Sequence, residues 1–329
     1  MIYSELSSRI GNQMFRYAFT RQLSEILDDD ITFNIHSINN GVRYGDNWRE
    51  EISNFKIKDC VFVNMKEKEI LRNFNILQRL CIFLYSIIYK VFSLKIAVFI
   101  TKLFWNLSNR FGVYYLVRGY KPAKKSIFKN RYVAGCFEDE RFFSDISDIL
   151  KDELTPKIPA PEKNAELYEV IKNNNSVCIS LRCWNIDVKN EESVKKRFVC
   201  TQEYYKSAIE YIKTVVNNPV FVVFSDNIEW AKENIKSEGV FYYEDGTDPT
   251  WEKIRLMYNC KHFIMSNSTF CWWAQYLSEN ENKIVVSPQN WFNQKYFTKY
   301  EMNYLNSLIG ADWHTINTDD MSGDCKGAK

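Results

Sequence analysis

The chain has 329 residues, 46% hydrophobic and 26% charged, which is enough apolar mass for two packed domains and too much for one ordinary core. Its net charge of +2 argues against a polyanionic partner, so nucleic acid is not expected. Nine cysteines, an odd number with no C-x-x-C pair, read as small buried side chains in a reducing compartment and exclude a disulfide frame or zinc site.

In chain order, Met1–Leu6 reads as a strand that carries an acid early, with no signal-peptide pattern. No run of about 20 residues lacks charge, so no spanning helix is expected and the protein is placed in the cytoplasm. Arg9–Phe15 is a strand-to-helix turn. Gly11 there could let a ligand approach the backbone, and Asn12 and Gln13 could bond it, though an ordinary helix start fits as well. A helix follows from Asn12 to Leu27. Asp28-Asp29-Asp30 contains a formal D-x-D but reads as a solvated turn before a strand at Ile31–Ile35.

Residues 66–117 read as helical. From Ile70 to Arg131 there are twelve Lys or Arg and no Asp or Glu. Apolar runs such as Ile96–Ile100, broken by Lys90, Lys95 and Lys102, suit a helix on an anionic membrane, and equally suit helices packed on the first domain with lysines in solvent. Thr155–Pro161 holds three prolines and marks a boundary. The expected domains are 1–155 with the basic helical segment, 156–310, and a tail at 311–329.

The second half alternates short β-branched runs with helical stretches. Strands are expected at Ser176–Leu181, Pro219–Ser225, Val240–Tyr243, His262–Met265 and Lys283–Val286. The helices between them span about Gln202–Val216, Asn227–Lys236, Pro249–Asn259 and Thr269–Ser278. This pattern predicts a parallel sheet covered by helices, with ligands at the carboxyl ends of the strands. Residues just past each strand therefore count most. Ser266-Asn267-Ser268-Thr269-Phe270 leaves a strand and opens a helix, so its free N–H groups and hydroxyls form either an anion site for a diphosphate or an ordinary cap. Arg182 ends a strand and could grip a phosphate through two parallel bonds, or pair with a carboxylate. Asp226 ends another, where it could accept bonds from a ribose or base, or cap the next helix. The absence of G-x-G-x-x-G and of a P-loop disfavours dinucleotide oxidoreductases and P-loop enzymes, and the dispersed His36, His262 and His314 disfavour a histidine metal site.

These pieces, in this order, resemble glycosyltransferase family 11, the α-1,2-fucosyltransferases. The resemblance rests on Gly11–Ala18, on Gly135–Phe143, on Phe224–Trp230, on the long and specific Leu256–Trp273, and on Pro288–Phe292. The family's H-x-R-R-x-D reads here Ser180-Leu181-Arg182-Cys183-Trp184-Asn185, so one arginine survives and a cation and an acid are lost. Arg141, Lys195, Lys196 or Arg197 could replace the cation, and Asp187 the acid.

The resemblance implies a GT-B-like α/β fold of two facing Rossmann-like domains with the donor cleft between them. It implies an inverting, metal-independent enzyme with no cofactor, taking GDP-β-L-fucose as donor and a terminal galactose on an oligosaccharide or lipid-linked glycan as acceptor. GDP would lie on the second half through Arg182, Asp226, Asn267, Ser268, Thr269 and Phe270, and the acceptor near Gly11, Asn12 and Gln13. Arg182 would stabilise the departing diphosphate and Asp187 would serve as base. The altered segment leaves open a different nucleotide-sugar donor, or an inactive sugar-binding relative.

Overall fold

The structure, a computed structural model, describes residues 1–39, 48–183, 191–235 and 237–319. The chain divides into two compact units, Met1–Leu154 and Thr155–Lys329. Each is built on a parallel sheet with helices, the expected α/β class.

In the first unit β1 (Ile2–Glu5), β2 (Ile31–Asn34), β3 (Val61–Val63), β4 (Val113–Leu116) and β5 (Arg131–Gly135) lie in the order β3-β2-β1-β5-β4. Every neighbouring pair is parallel, and Ile2 aligns with both Ile31 and Arg131. The helix Ile10–Leu27 carries the chain from β1 to β2 and buries Met14, Phe15, Tyr17, Ala18 and Phe19. Phe19 stacks on Phe137 with 3.9 Å between ring centroids and also meets Trp105 and Tyr114, which ties the helix to the far side of the sheet.

Three elements of this unit depart from expectation. Residues 66–117 are not helical throughout. A short helix Glu67–Ile70 is followed by helices Ile76–Val91 and Leu94–Arg110, and the segment ends in β4. Gly112 makes the exit. Its φ of +74° is left-handed, and an added Cβ would meet the Asn130 carbonyl oxygen at 2.9 Å, so only glycine turns the helix into the strand there. The short strands β3 and β5 were unforeseen, and β5 is a direct neighbour of β1. Arg131 is tolerated at its start because the guanidinium pairs with Asp29, which also takes the N-terminal ammonium at 2.8 Å. Those bonds place Asp28-Asp29-Asp30 just before β2, at the end of the sheet away from its carboxyl tips.

In the second unit β6 (Asn175–Leu181), β7 (Pro219–Ser225), β8 (Val240–Tyr243), β9 (His262–Ile264), β10 (Val285–Pro288) and β11 (His314–Ile316) lie in the order β11-β10-β9-β6-β7-β8, again all parallel. The central strands are buried on both faces, which is why they read as continuous apolar runs. Val177, Ile179 and Leu181 of β6 pack with Phe221 and Val223 of β7 under helix Gln202–Val215. That helix supplies Tyr204, Tyr205, Ala208, Ile209 and Ile212, one apolar stripe at helical spacing, and Thr201 caps its start. Cys178 points to the opposite layer, beside Cys260 and Cys271. None of the eight described cysteines is in a disulfide.

β10 is displaced by two residues from the expected Lys283–Val286. β11 pairs with it, Val286 opposite His314, so residues 314–316 extend the sheet and do not belong to a tail. A stack of His314 on Tyr211, 3.4 Å between centroids, fixes that last strand to the helix Gln202–Val215.

Candidate functional site

Strand order defines where a ligand fits each sheet. In the second unit the chain runs from β6 to β7 and β8 on one side, and then to β9 and beyond on the other. β6 and β9 are therefore the strands between which the winding reverses, and open α/β sheets bind ligands at the carboxyl ends of such a pair. Arg182 and Cys183 follow β6, Asp226 follows the adjacent β7, and Ser266–Phe270 follow β9. Residues far apart in sequence are thus gathered along three neighbouring strand tips.

The tips are bonded to one another. Arg182 donates from Nη1 to the Asp226 carboxylate, and both side chains are half-buried. The other Asp226 oxygen accepts the Cys183 backbone N–H at 2.8 Å. Asp226 therefore fixes the backbone and the guanidinium of the β6 tip together, and the ion-pair reading of Arg182 is realised with the other donor-site candidate as its partner. Asp226 does not cap the next helix. Asn227 does, accepting from the Trp230 N–H at 3.0 Å at the start of Ile228–Asn234.

Across the reversal, Ser266 Oγ lies 3.4 Å from Ser180 Oγ, both buried. Ser268 caps the helix Thr269–Leu277 by accepting from the Phe270 N–H. Asn267 is buried, and its Nδ2 donates to the carbonyls of Arg197 at 2.7 Å and Trp291 at 2.9 Å. Both amide hydrogens are thereby taken, so Asn267 braces the loop and is not a ligand contact. The same bond holds the end of helix Glu191–Arg197, which carries Lys195, Lys196 and Arg197, against the β9 tip. Cations and a helix start meet there, as a diphosphate requires. Cys271 accompanies them as an inert thiol, pushed up by burial. Asp187, Trp184 and Asn185 lie outside the described residues.

In the first unit the winding reverses between β1 and β5, and the helix Ile10–Leu27 starts beyond the β1 tip. The left-handed residue of that turn is Ser8, with φ 70°, while Gly11 sits within the first helical turn. Gln13 is fully buried. Its Nε2 donates to the carbonyls of Ser8 and Arg49, and its Oε1 accepts the Glu51 N–H at 3.1 Å, so it ties two loops together. Asn12 donates to Ser8 Oγ at 3.0 Å, while its Oδ1 is buried without a hydrogen-bond partner. Arg141, one proposed substitute cation, belongs to this unit and is held by Asp139 and the Tyr120 ring.

Sequence reasoning passed over Glu5, whose position at the end of a central strand was the available signal. Its oxygens accept from Asn34 Nδ2 at 3.1 Å. Burial raises its carboxyl to about 7, opposed by the Asn34 bonds and the nearby Arg16. Such a group stays protonated in the fold while the unfolded chain ionises near 4.5, so stability falls as pH rises between those values. Glu5→Gln removes the titration and keeps an acceptor for Asn34. In thermal unfolding it is expected to match the native chain below pH 4.5 and exceed it by about 1–2 kcal/mol at pH 8. An equal gain at both pH values would show that ionisation is not the cause.

Parallel sheets with charged and helix-start groups at the reversal of the winding define a Rossmann-type α/β protein. The chain belongs to glycosyltransferase family 11, whose family model matches residues 1–312. It is similar to the O-antigen biosynthesis glycosyltransferase WbnK of Escherichia coli, 28% identical over 319 residues, covering 88% of this chain and 95% of that one. It is also similar to the alpha-1,2-colitosyltransferase of Escherichia coli, 34% identical over 172 residues, 51% of this chain and 58% of that one. Human galactoside alpha-(1,2)-fucosyltransferase 1 is 40% identical over 130 residues, 38% of this chain and 34% of that one. The match thus spans little more than half of the colitosyltransferase and a third of the human enzyme.

Proposed function

We propose that this glycosyltransferase moves L-fucose from GDP-β-L-fucose to the 2-hydroxyl of a terminal galactose, with inversion and without a catalytic metal. The observation that carries the reading is the Arg182–Asp226 pair at the β6 and β7 tips, next to the capped helix start at Ser268 beyond β9. The names of the human and Escherichia coli relatives support the sugar and the linkage.

In a single displacement the acceptor oxygen attacks the anomeric carbon and the bond to the β-phosphate oxygen breaks. GDP leaves with the electron pair, and the hydroxyl proton passes to a base. Arg182 and the amides opening Thr269–Leu277 meet the charge that builds on the diphosphate. Asp226 orients Arg182, Asn267 holds the β9 loop, and Asp187 is assigned as base. On the acceptor side, the buried, unpartnered Oδ1 of Asn12 favours a hydroxyl donor beside Gly11, with Gln13 stabilising the turn.

A second reading, the same chemistry with another nucleotide sugar, is favoured by the colitosyltransferase likeness and by the altered residues after Arg182. Thermal shift with GDP, UDP and CMP, each with and without magnesium, tests the donor base. GDP alone should raise the melting temperature, by about 2.7 kcal/mol of stability at a hundredfold excess over Kd, and magnesium should add nothing. A donor panel scored by product mass with EDTA present then separates fucose from other sugars. An absence of any turnover would leave a sugar-binding relative.

A further inference from the structure

The helices Ile76–Val91 and Leu94–Arg110 straddle the edge strand β4. On one face of the sheet Tyr85 stacks on Tyr115, 5.0 Å between centroids, and on the other Trp105 packs against Tyr114. The sides turned inward are apolar and buried, as expected: Ile82 and Tyr85 on the first helix, Ala97, Val98 and Trp105 on the second. The sides turned outward are apolar as well. Ile76, Leu80, Phe83, Ile87 and Val91 recur at helical spacing on the first, and Ile96, Phe99, Leu103 and Leu107 on the second. They are exposed to the extent of 81% at Ile76, 70% at Val91, 58% at Phe99 and 62% at Leu103, and exposed Phe92 joins the two stripes. A water-facing helix in a soluble protein is normally polar on this side, and an apolar patch of this extent marks a binding surface.

Charge identifies what covers it. The chain from Ile70 to Arg131 holds no acid, and the stripes are flanked by exposed Arg79, Lys90 and Arg110. Cations are crowded further back: burial lowers the affinity of Lys102 for its proton, and Lys121 and Arg141 lower it further. A second copy docked through a two-fold axis would bring this surface against itself, cation against cation. An anionic surface with an apolar interior satisfies both features. No helix among the described residues is long and apolar enough to cross a membrane, so the contact lies along the interface and does not span it.

We propose that this helical pair docks the enzyme on an anionic lipid bilayer, its outward apolar side chains entering the acyl boundary and its basic flanks meeting the headgroups. The proposal rests on the surface alone and is independent of the donor sugar.

Vesicle flotation tests it, using the full chain with phosphatidylcholine vesicles and with equimolar phosphatidylglycerol–phosphatidylcholine vesicles. The expected result is at least tenfold more bound protein on the anionic vesicles at low salt, reversed in large part at high salt. Lys90→Gln with Arg110→Gln, surface changes that leave the core intact, should weaken binding by about fivefold per cation. Phe83→Glu with Leu103→Glu should abolish it while leaving the melting temperature unchanged. Equal binding to both vesicles, or none to anionic vesicles at low salt, overturns the proposal. So does a concentration-dependent dimer in sedimentation equilibrium that the Phe83 and Leu103 changes convert to monomer without any vesicle binding.

Discussion

Arg182→Ala is expected to lower transfer from the nucleotide-sugar donor by roughly 10²–10³-fold, the scale on which one fixed donor to a developing oxyanion acts. The loss should fall mainly on kcat. Charge builds on the diphosphate as the bond to the sugar breaks, so the guanidinium matters more in the transition state than in the bound complex. Arg182→Lys keeps the charge but gives up the planar fork, and should recover only about tenfold. Asp226→Ala should raise KM as well, because the same carboxylate holds the Cys183 N–H that sets the direction of the β6 tip. Steady-state rates for the three variants against the native chain decide the matter. Near-native turnover in Arg182→Ala would remove the residue from the chemistry and leave it as a structural ion pair.

The largest effect on stability is expected at Asn267. Alanine there deprives two carbonyls, those of Arg197 and Trp291, of the amide that joins them. An unmade bond to a buried acceptor costs about 1–3 kcal/mol. Together the two should lower the melting temperature of the second unit by about 5–10 °C. Asn267→Asp makes the sharper comparison. It has the same shape, but it sets a carboxylate oxygen against two carbonyl oxygens and should be at least as destabilising as alanine. If the Asp variant melts with the native chain, the two bonds carry little, and Asn267 regains its place as a candidate ligand contact.

The second sheet was legible because its inner strands are buried on both faces, so Val177–Leu181 and Pro219–Ser225 stand out as apolar runs whatever surrounds them. The first was not. Arg131 opens a strand beside β1 only because Asp29, 102 residues earlier, takes its charge. β4 hides behind a long acid-free helical stretch, and only the conformation of Gly112 separates them. At the site, residue type and position past a strand found Arg182, Asp226 and the Ser268 turn. What each side chain bonds was beyond reach, since Arg182 and Asp226 are 44 residues apart and Asn267 answers to carbonyls at 197 and 291. Gln13 shows the same limit: a polar side chain at a helix start looked like a ligand contact and is spent on two loops.

The double grip of Asp226 has a bearing on engineering. It pins the chain through Cys183, one residue before the stretch where this sequence leaves its family's pattern. A graft that exchanges only what comes after Cys183 for the matching piece of a relative would inherit an anchor that is already set. Donor preference could then be traded between family members without rebuilding the arginine they share.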